Sequence, residues 1–140
     1  MAHIEWQKGY ATGIATIDAQ HRQIIEFINR LEDSVIRQER EVVSHILGDL
    51  RHYIDSHFRY EEQLIGESGY RFADSHIRAH RRFAERFDAM SQRFEAGAYI
   101  TRELLYFLRR WLLTHITQED QGYVEAVSEV LQQSGALVRH

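Results

Sequence analysis

The chain has 140 residues, no cysteine, no proline, nine histidines and a formal net charge of -4. That length suits one domain with a real core, and the missing cysteine excludes a disulfide framework, thiol catalysis, zinc fingers and cysteine-ligated iron–sulfur clusters. The charge balance argues against nucleic acid as a main partner, because a basic footprint is what displaces counterions.

All the basic residues except Lys8 are arginines, spread along the chain, with Arg81–Arg82 and Arg109–Arg110 the only adjacent pairs. The opening MAHIEWQKGY has no apolar h-region. No apolar run approaches about 18 residues. The expectation is therefore a cytoplasmic protein with no membrane contact.

The absence of proline favours long uninterrupted helices. Residues up to about 17 include Gly9 and Gly13 and show no period. They read as an irregular arm with Trp6 as its anchor. Asp18 stands where a helix N-cap would, and Ile17, Ile24, Ile28 and Leu31 follow at helical intervals, with His21 filling the gap. Val43, Ile46, Leu50 and Tyr53 begin a second stripe that continues through His57, Glu61 and Leu64, until Gly66, Ser68 and Gly69 break it. The third runs Phe72, His76, His80, Phe83, Phe87, Met90 and Phe94 in steps of three and four, as a bundle seam requires, and Gly97 ends it. The fourth holds Leu104, Leu105, Leu108, Trp111, Leu112 and His115, and a last amphipathic stretch covers Tyr123 to Leu131. Short connections favour antiparallel neighbours. The pattern predicts an all-α, up-down antiparallel four-helix bundle as one domain over residues 1–140. Its arm covers about 1–17, its bundle about 18–118 and a C-terminal helical extension about 121–133.

The stripes contain residues that an apolar seam should not hold. His21, His57, Glu61, His76, His80 and His115 all fall on the faces that turn inward. Burying one unpaired carboxylate or charged imidazole costs several kcal/mol, against a net stability of about 5–15 kcal/mol for a whole domain. These groups must satisfy one another or share a ligand, and a metal does both. Neutral imidazole and carboxylate suit iron, zinc or manganese. His57 and Glu61 are four residues apart, as are His76 and His80, so each pair projects from one helix face one turn apart. His45 and His52 lie off the stripe and read as surface residues, while His3 and His140 are terminal. After His115, an ideal helix puts Glu119 on the same face and Asp120 about 140° around, so geometry favours Glu119. Asp120 serves only if the helix ends or bulges there, as in a π-turn.

These residues and their neighbours resemble the hemerythrin family in its bacterial single-domain form. The resemblance is carried by Ile17-Asp18-Ala19-Gln20-His21, by His57-Phe58-Arg59-Tyr60-Glu61-Glu62, by His76-x-x-x-His80, and by Trp111-Leu112-Leu113-Thr114-His115-Ile116 with Asp120, and it runs from about Trp6 to Tyr123. It implies a non-haem centre of two iron ions. His76, His80 and His115 would hold one, and His21 and His57 the other, leaving that ion an open site. Glu61 and Asp120, with an oxo or hydroxo group, would bridge them. It also implies an apolar dioxygen pocket at Ile24, Phe58, Leu112 and Ile116, with Trp6, Trp111 and Tyr123 nearby. Two departures touch no ligand position: Leu64-Ile65 stands where the family often has methionine, and no proline follows Gly69-Tyr70.

The function this implies is reversible dioxygen binding in transport, storage or delivery, and not an enzyme. No Glu-x-x-His, the signature of carboxylate-rich oxygen activators, occurs in the chain. Oxidase or peroxidase chemistry at the same centre would need a proton donor or a substrate channel beside it. A sensing role would need a separate output protein. A redox or dioxygen-accepting partner is compatible with the reading but carries no signature of its own. A purely structural bundle with incidental histidines predicts a colourless, metal-free protein.

Overall fold

The apolar stripes fold into helices whose inner faces close on one another. A computed structural model describes residues 3–134, with α1 at Ala15–Ile36, α2 at Arg40–Ser68, α3 at Ala73–Glu95 and α4 at Thr101–Thr114. A π-helical turn at His115–Glu119 and a 3-10 turn at Gln121–Tyr123 lead into a shorter α5 at Val124–Ser134. Each long helix packs on the next, and α4 returns against α1. Directions alternate. Arg40 at the start of α2 donates to the Phe94 carbonyl at the end of α3, while Glu61 near the end of α2 meets His76 near the start of α3. His21 near the start of α1 faces His115 beyond α4, and Glu32 near its end pairs with Arg109 within α4. The architecture is the up-down antiparallel four-helix bundle that the stripes predict.

Helix ends are set by backbone geometry more than by side-chain caps. Gly69 closes α2 in the left-handed region (φ 69°), and Gly97 follows α3 at φ 102°, conformations that a side chain resists. Asp18 is not the N-cap of α1. The helix begins at Ala15, and the Asp18 amide already bonds the Ile14 carbonyl at 3.0 Å. The Asp18 carboxylate instead reaches back out of the first turn. It accepts from the Thr12 N–H and hydroxyl, both at 2.8 Å, and from the Gly13 N–H at 3.2 Å. An acidic residue is favoured in a first turn as well as at a cap, so the pattern marks the right side chain but starts the helix one turn too late.

Two apolar clusters divide the interior. The larger joins Ile24, Ile28 and Leu31 to Leu50, Ile54, Phe83, Phe87, Leu104 and Leu108 along the length of the bundle. The smaller unites Ile14, Ile17, Leu64, Ile65, Tyr123, Val127 and Leu131 at the end where α1 begins and α2 stops. Along α1, His21 lies between Ile17 of the small cluster and Ile24 of the large one. Along α2, Glu61 lies between Leu64 and Phe58 in the same way. A polar layer is thus enclosed between two apolar ones. The N-terminal arm is fastened outside. Ile4 gives its N–H to Asn29 Oδ1 at 2.8 Å and accepts from Asn29 Nδ2 at 2.9 Å. Trp6 is half-buried against the large cluster, beneath the Arg22 guanidinium at 4.5 Å.

Replacing Asp18 strands the buried donors of Thr12. Asp18→Ala is expected to lower stability by about 1–3 kcal/mol, read as a lower urea midpoint at unchanged m-value.

Candidate metal centre

Three long helices and the turn after α4 deliver seven side chains to the enclosed layer. His21 comes from α1, His57 and Glu61 from α2, His76 and His80 from α3, His115 from the start of the π-turn, and Asp120 from just past it. None is more than 6 % exposed. The π-turn decides the last member. The Asp120 N–H bonds the His115 carbonyl at 2.9 Å across five residues. This extra residue in the turn swings Asp120 onto the face of His115, with Oδ2 at 3.0 Å from His115 Nε2. Glu119, favoured on an ideal helix, is carried outward. Its side chain is 25 % exposed and its oxygen stays 3.9 Å from His115 Nδ1. The structure brings Asp120, and not Glu119, into the cluster.

The polar atoms converge and satisfy one another only in part, His57 Nε2 and His115 Nε2 pairing at 3.1 Å. Glu61 Oε1 lies 3.2 Å from His80 Nε2, 3.3 Å from His115 Nε2, 3.4 Å from His57 Nε2 and 3.8 Å from His76 Nε2. Asp120 reaches His21 Nε2 at 2.5 Å and His76 Nε2 at 3.4 Å. Yet both His21 ring nitrogens, Glu61 Oε1, His76 Nε2, His80 Nε2 and both Asp120 oxygens are buried with no hydrogen-bond partner. Their donor atoms fall into two overlapping groups, each within 4.8 Å: His21, His57, Glu61, His115 and Asp120, and Glu61, His76, His80 and His115. Buried polar atoms left unpaired at this density are costly. Imidazole and carboxylate aimed at common points fit first-row transition ions.

A second tier of side chains aims the first. Gln20 accepts from His57 Nδ1 at 2.7 Å, and Glu62 from His80 Nδ1 at 2.9 Å, so each ring turns its Nε2 inward. The Tyr123 hydroxyl donates to Glu61 Oε2 at 2.7 Å, leaving Oε1 free to face the imidazoles. These three roles are not visible in the helical pattern. Gln20 and Glu62 stand beside site residues in sequence but serve a ring on another helix. The signal that finds them is the rule that a ligating histidine needs a partner on its other nitrogen.

The seven positions expected at or beside the pocket separate into three places. Ile24, Phe58, Leu112 and Ile116 are buried together in the large cluster, with Phe58 stacked on His80 at 3.7 Å. Trp111 is half-buried and stacked on His115 at 5.0 Å. Tyr123 belongs to the small cluster, where its ring lies against His76. It meets the centre through a polar hydroxyl and not as part of the apolar wall. Trp6 stays with Tyr10 and Arg22 on the arm. His45 and His52 are exposed, His3 pairs with Asp33 at 2.7 Å, and His140 lies outside the described residues.

Protons partly balance the enclosed charges. Burial, reinforced by His57 and His115, holds His21 well below the ordinary imidazole value. Burial takes His57 down to about 4 against the pull of Glu61. Burial opposes protonation of His115, but Asp120 and Glu61 outweigh it and raise its pKa well above the usual range. Burial also opposes ionisation of Glu61, which His57 and His115 nevertheless hold low, while burial and Glu61 push Asp120 up. His115 and Asp120 thus hold protons more tightly than usual, and cations binding there compete with those protons.

The Hemerythrin HHE cation binding domain family matches residues 12–127, a span that contains all seven converging side chains. The chain belongs to the hemerythrin family. The bacteriohemerythrin of Pseudomonas aeruginosa is 41% identical over 127 residues, which cover 91% of this chain and 83% of that protein. That of Stenotrophomonas maltophilia is 40% identical over 133 residues, covering 95% and 87%. A crystal structure of wild-type hemerythrin superposes with a TM-score of 0.85 at 27% identity, covering 91% of this chain and 99% of that one. Within the hemerythrin match lie Gln20, Glu62 and Tyr123, and α5 continues beyond it to Ser134.

The His57 value can be measured directly. In the metal-free protein, its imidazole is expected to titrate with a midpoint of about 4 by NMR. A folded value below the unfolded 6.5 means that this group's contribution to stability is present above pH 6.5 and is lost as pH falls through 4. A midpoint at 6.5 would show that the ring is not enclosed.

Proposed function

We propose that this protein binds dioxygen reversibly at a non-haem di-iron centre, as a transport, storage or delivery protein. The observation that carries the reading is the set of buried, unpartnered nitrogens and oxygens converging from α1, α2, α3 and the turn after α4, on a hemerythrin-family chain. In this reading His76, His80 and His115 hold one iron, His21 and His57 hold the other, and Glu61 and Asp120 are shared. The His21–His57 side then has one imidazole fewer, which leaves room for dioxygen. Bound ferrous ions supply the electrons that hold dioxygen.

The protein's own side chains do the rest. Gln20 and Glu62 fix which nitrogen of His57 and of His80 faces inward. Tyr123 pins one oxygen of Glu61 and so orients the other. Ile24, Phe58, Leu112 and Ile116, each buried, exclude water from the bundle side of the layer. A water-free wall suits binding without further reaction. No helix among the described residues is long and apolar enough to cross a membrane, and a cytoplasmic location belongs to the same proposal.

A second reading has one specific observation in its favour. Oxidase or peroxidase chemistry needs a proton donor at the centre, and the Tyr123 hydroxyl lies 2.7 Å from Glu61. Burial, Glu61 and Asp120 raise the Tyr123 pKa well above its ordinary value, so the phenol keeps its proton. Its hydrogen bond is already committed to Glu61. The proton is held, which favours carriage.

Anaerobic loading with ferrous ions, followed by dioxygen, tests the proposal. A visible band that appears with dioxygen and disappears when it is removed is expected; absence of iron uptake sinks the metal reading, and irreversible bleaching favours the enzyme. His57→Ala, Glu61→Ala and Asp120→Ala should each lose the spectrum, while His52→Ala and Glu119→Ala keep it. Gln20→Leu and Glu62→Leu should each weaken iron retention by about 10–100-fold in chelator competition.

A further inference from the structure

The seam between α3 and α4 is the loosest between neighbouring long helices, and it opens into a surface groove of about 740 Å³. Met90, Phe107 and Trp111 line it half-buried, with Tyr106 exposed beside them. Arg86, Arg93 and Arg110 stand exposed along the same groove, together with Glu103 and the half-buried Glu119. Among the described residues none of these three arginines is held in an ion pair, whereas Arg51, Arg59 and Arg109 are. Arg86 lies over the Phe107 ring at 5.1 Å, and Arg110 donates to the Tyr106 hydroxyl at 3.1 Å. Neutral partners leave their charges available. Aromatic rings, methionine and arginine are the composition of energetic interface centres, and free arginines at the rim select an acidic partner.

The groove also leads inward. Trp111 stacks on His115 at 5.0 Å and 21°, and on Phe83 at 3.9 Å. Phe107 stacks on Phe83 at 5.3 Å. One half-buried ring therefore separates the groove from an imidazole of the proposed centre. Dioxygen is small enough to diffuse to a buried centre; a protein electron donor is not. A centre left ferric must regain its electrons before it binds dioxygen again. The groove beside His76 is smaller, about 270 Å³, and shares Glu119 with the first but has no arginine in its lining to offset that charge.

We propose that the α3–α4 groove docks an acidic one-electron carrier protein and that Trp111 is the contact through which its electrons reach the centre. The inference rests on the di-iron reading. No bond forms or breaks: each docking oxidises one donor by one electron and reduces one ferric ion to ferrous, so two donors restore the pair.

The probe is a reduced, acidic plant-type ferredoxin mixed with the iron-loaded ferric protein, with dithionite as the small reductant for comparison. The ferredoxin rate is expected to fall about tenfold or more from low to physiological salt, and again in the combined Arg86→Glu, Arg93→Glu and Arg110→Glu variant. That variant keeps the dioxygen spectrum and the dithionite rate. With the ferredoxin raised to saturation, as judged by NMR shift changes in the metal-free protein, Trp111→Leu lowers the ferredoxin rate severalfold relative to the dithionite rate; Trp111→Phe recovers part of the loss. Rates indifferent to salt and to the charge reversal would overturn the docking face. Equal losses with both reductants would overturn the role of Trp111. Self-association abolished by the charge reversal would give the groove to a second copy of this chain. Failure to load iron is the separate failure of the di-iron reading, and the metal-free shift changes still report on docking.

Discussion

Five imidazoles and two carboxylates sit in one layer sealed from water. Polar groups buried without partners are paid for in folding free energy, and a domain has only about 5–15 kcal/mol of net stability. The arrangement around the layer answers that demand. Two apolar clusters close it on opposite sides. Gln20, Glu62 and Tyr123 each occupy one polar atom of a site residue, so that the remaining atom of each is aimed inward. What is left unpaired points at common positions, and the raised pKa values of His115 and Asp120 favour protons there. Cations replace those protons in the proposed function.

Backbone irregularity is concentrated where it changes the donor set. The helices α1, α2 and α3 carry His21, His57, Glu61, His76 and His80 on regular turns, and only the segment after α4 departs from regularity. One wider turn over His115–Glu119 exchanges a half-exposed Glu119 for a buried Asp120. It also redirects the chain into Gln121–Tyr123, which brings the Tyr123 hydroxyl to Glu61. A single extra residue in the ladder thus contributes two of the groups that surround Glu61. Such bulges cluster at functional sites for this reason.

The bundle was legible because its stripes are long and regular. Phe72 to Phe94 in steps of three and four, and Ile17 to Leu31 around His21, admit little besides helices with one buried face. The paired spacings of His57 with Glu61 and of His76 with His80 made the inward histidines legible as a set. Spacing could not show the π-turn, because ideal geometry assumes one rotation per residue and nothing in His115-Ile116-Thr117-Gln118-Glu119 announces a wider one. Only resemblance pointed to Asp120. Asp18 was recognisable as a residue of the α1 start, but its carboxylate serves the arm and not the helix end. Tyr123 read as an apolar ring because periodicity registers a side chain's bulk, not the atom its hydroxyl finds 62 positions away.

The small cluster has a kinetic consequence. Val127 and Leu131 on the 11-residue α5 pack against Ile14, Ile17, Leu64 and Ile65, so α5 covers the start of α1 and the end of α2 over one side of the polar layer. A short terminal helix attached by one face detaches at a lower free energy than the whole bundle unfolds. Lifting α5 would uncover Tyr123 and, beneath it, Glu61. Amide exchange in α5 is therefore expected to run ahead of exchange deep in the large cluster.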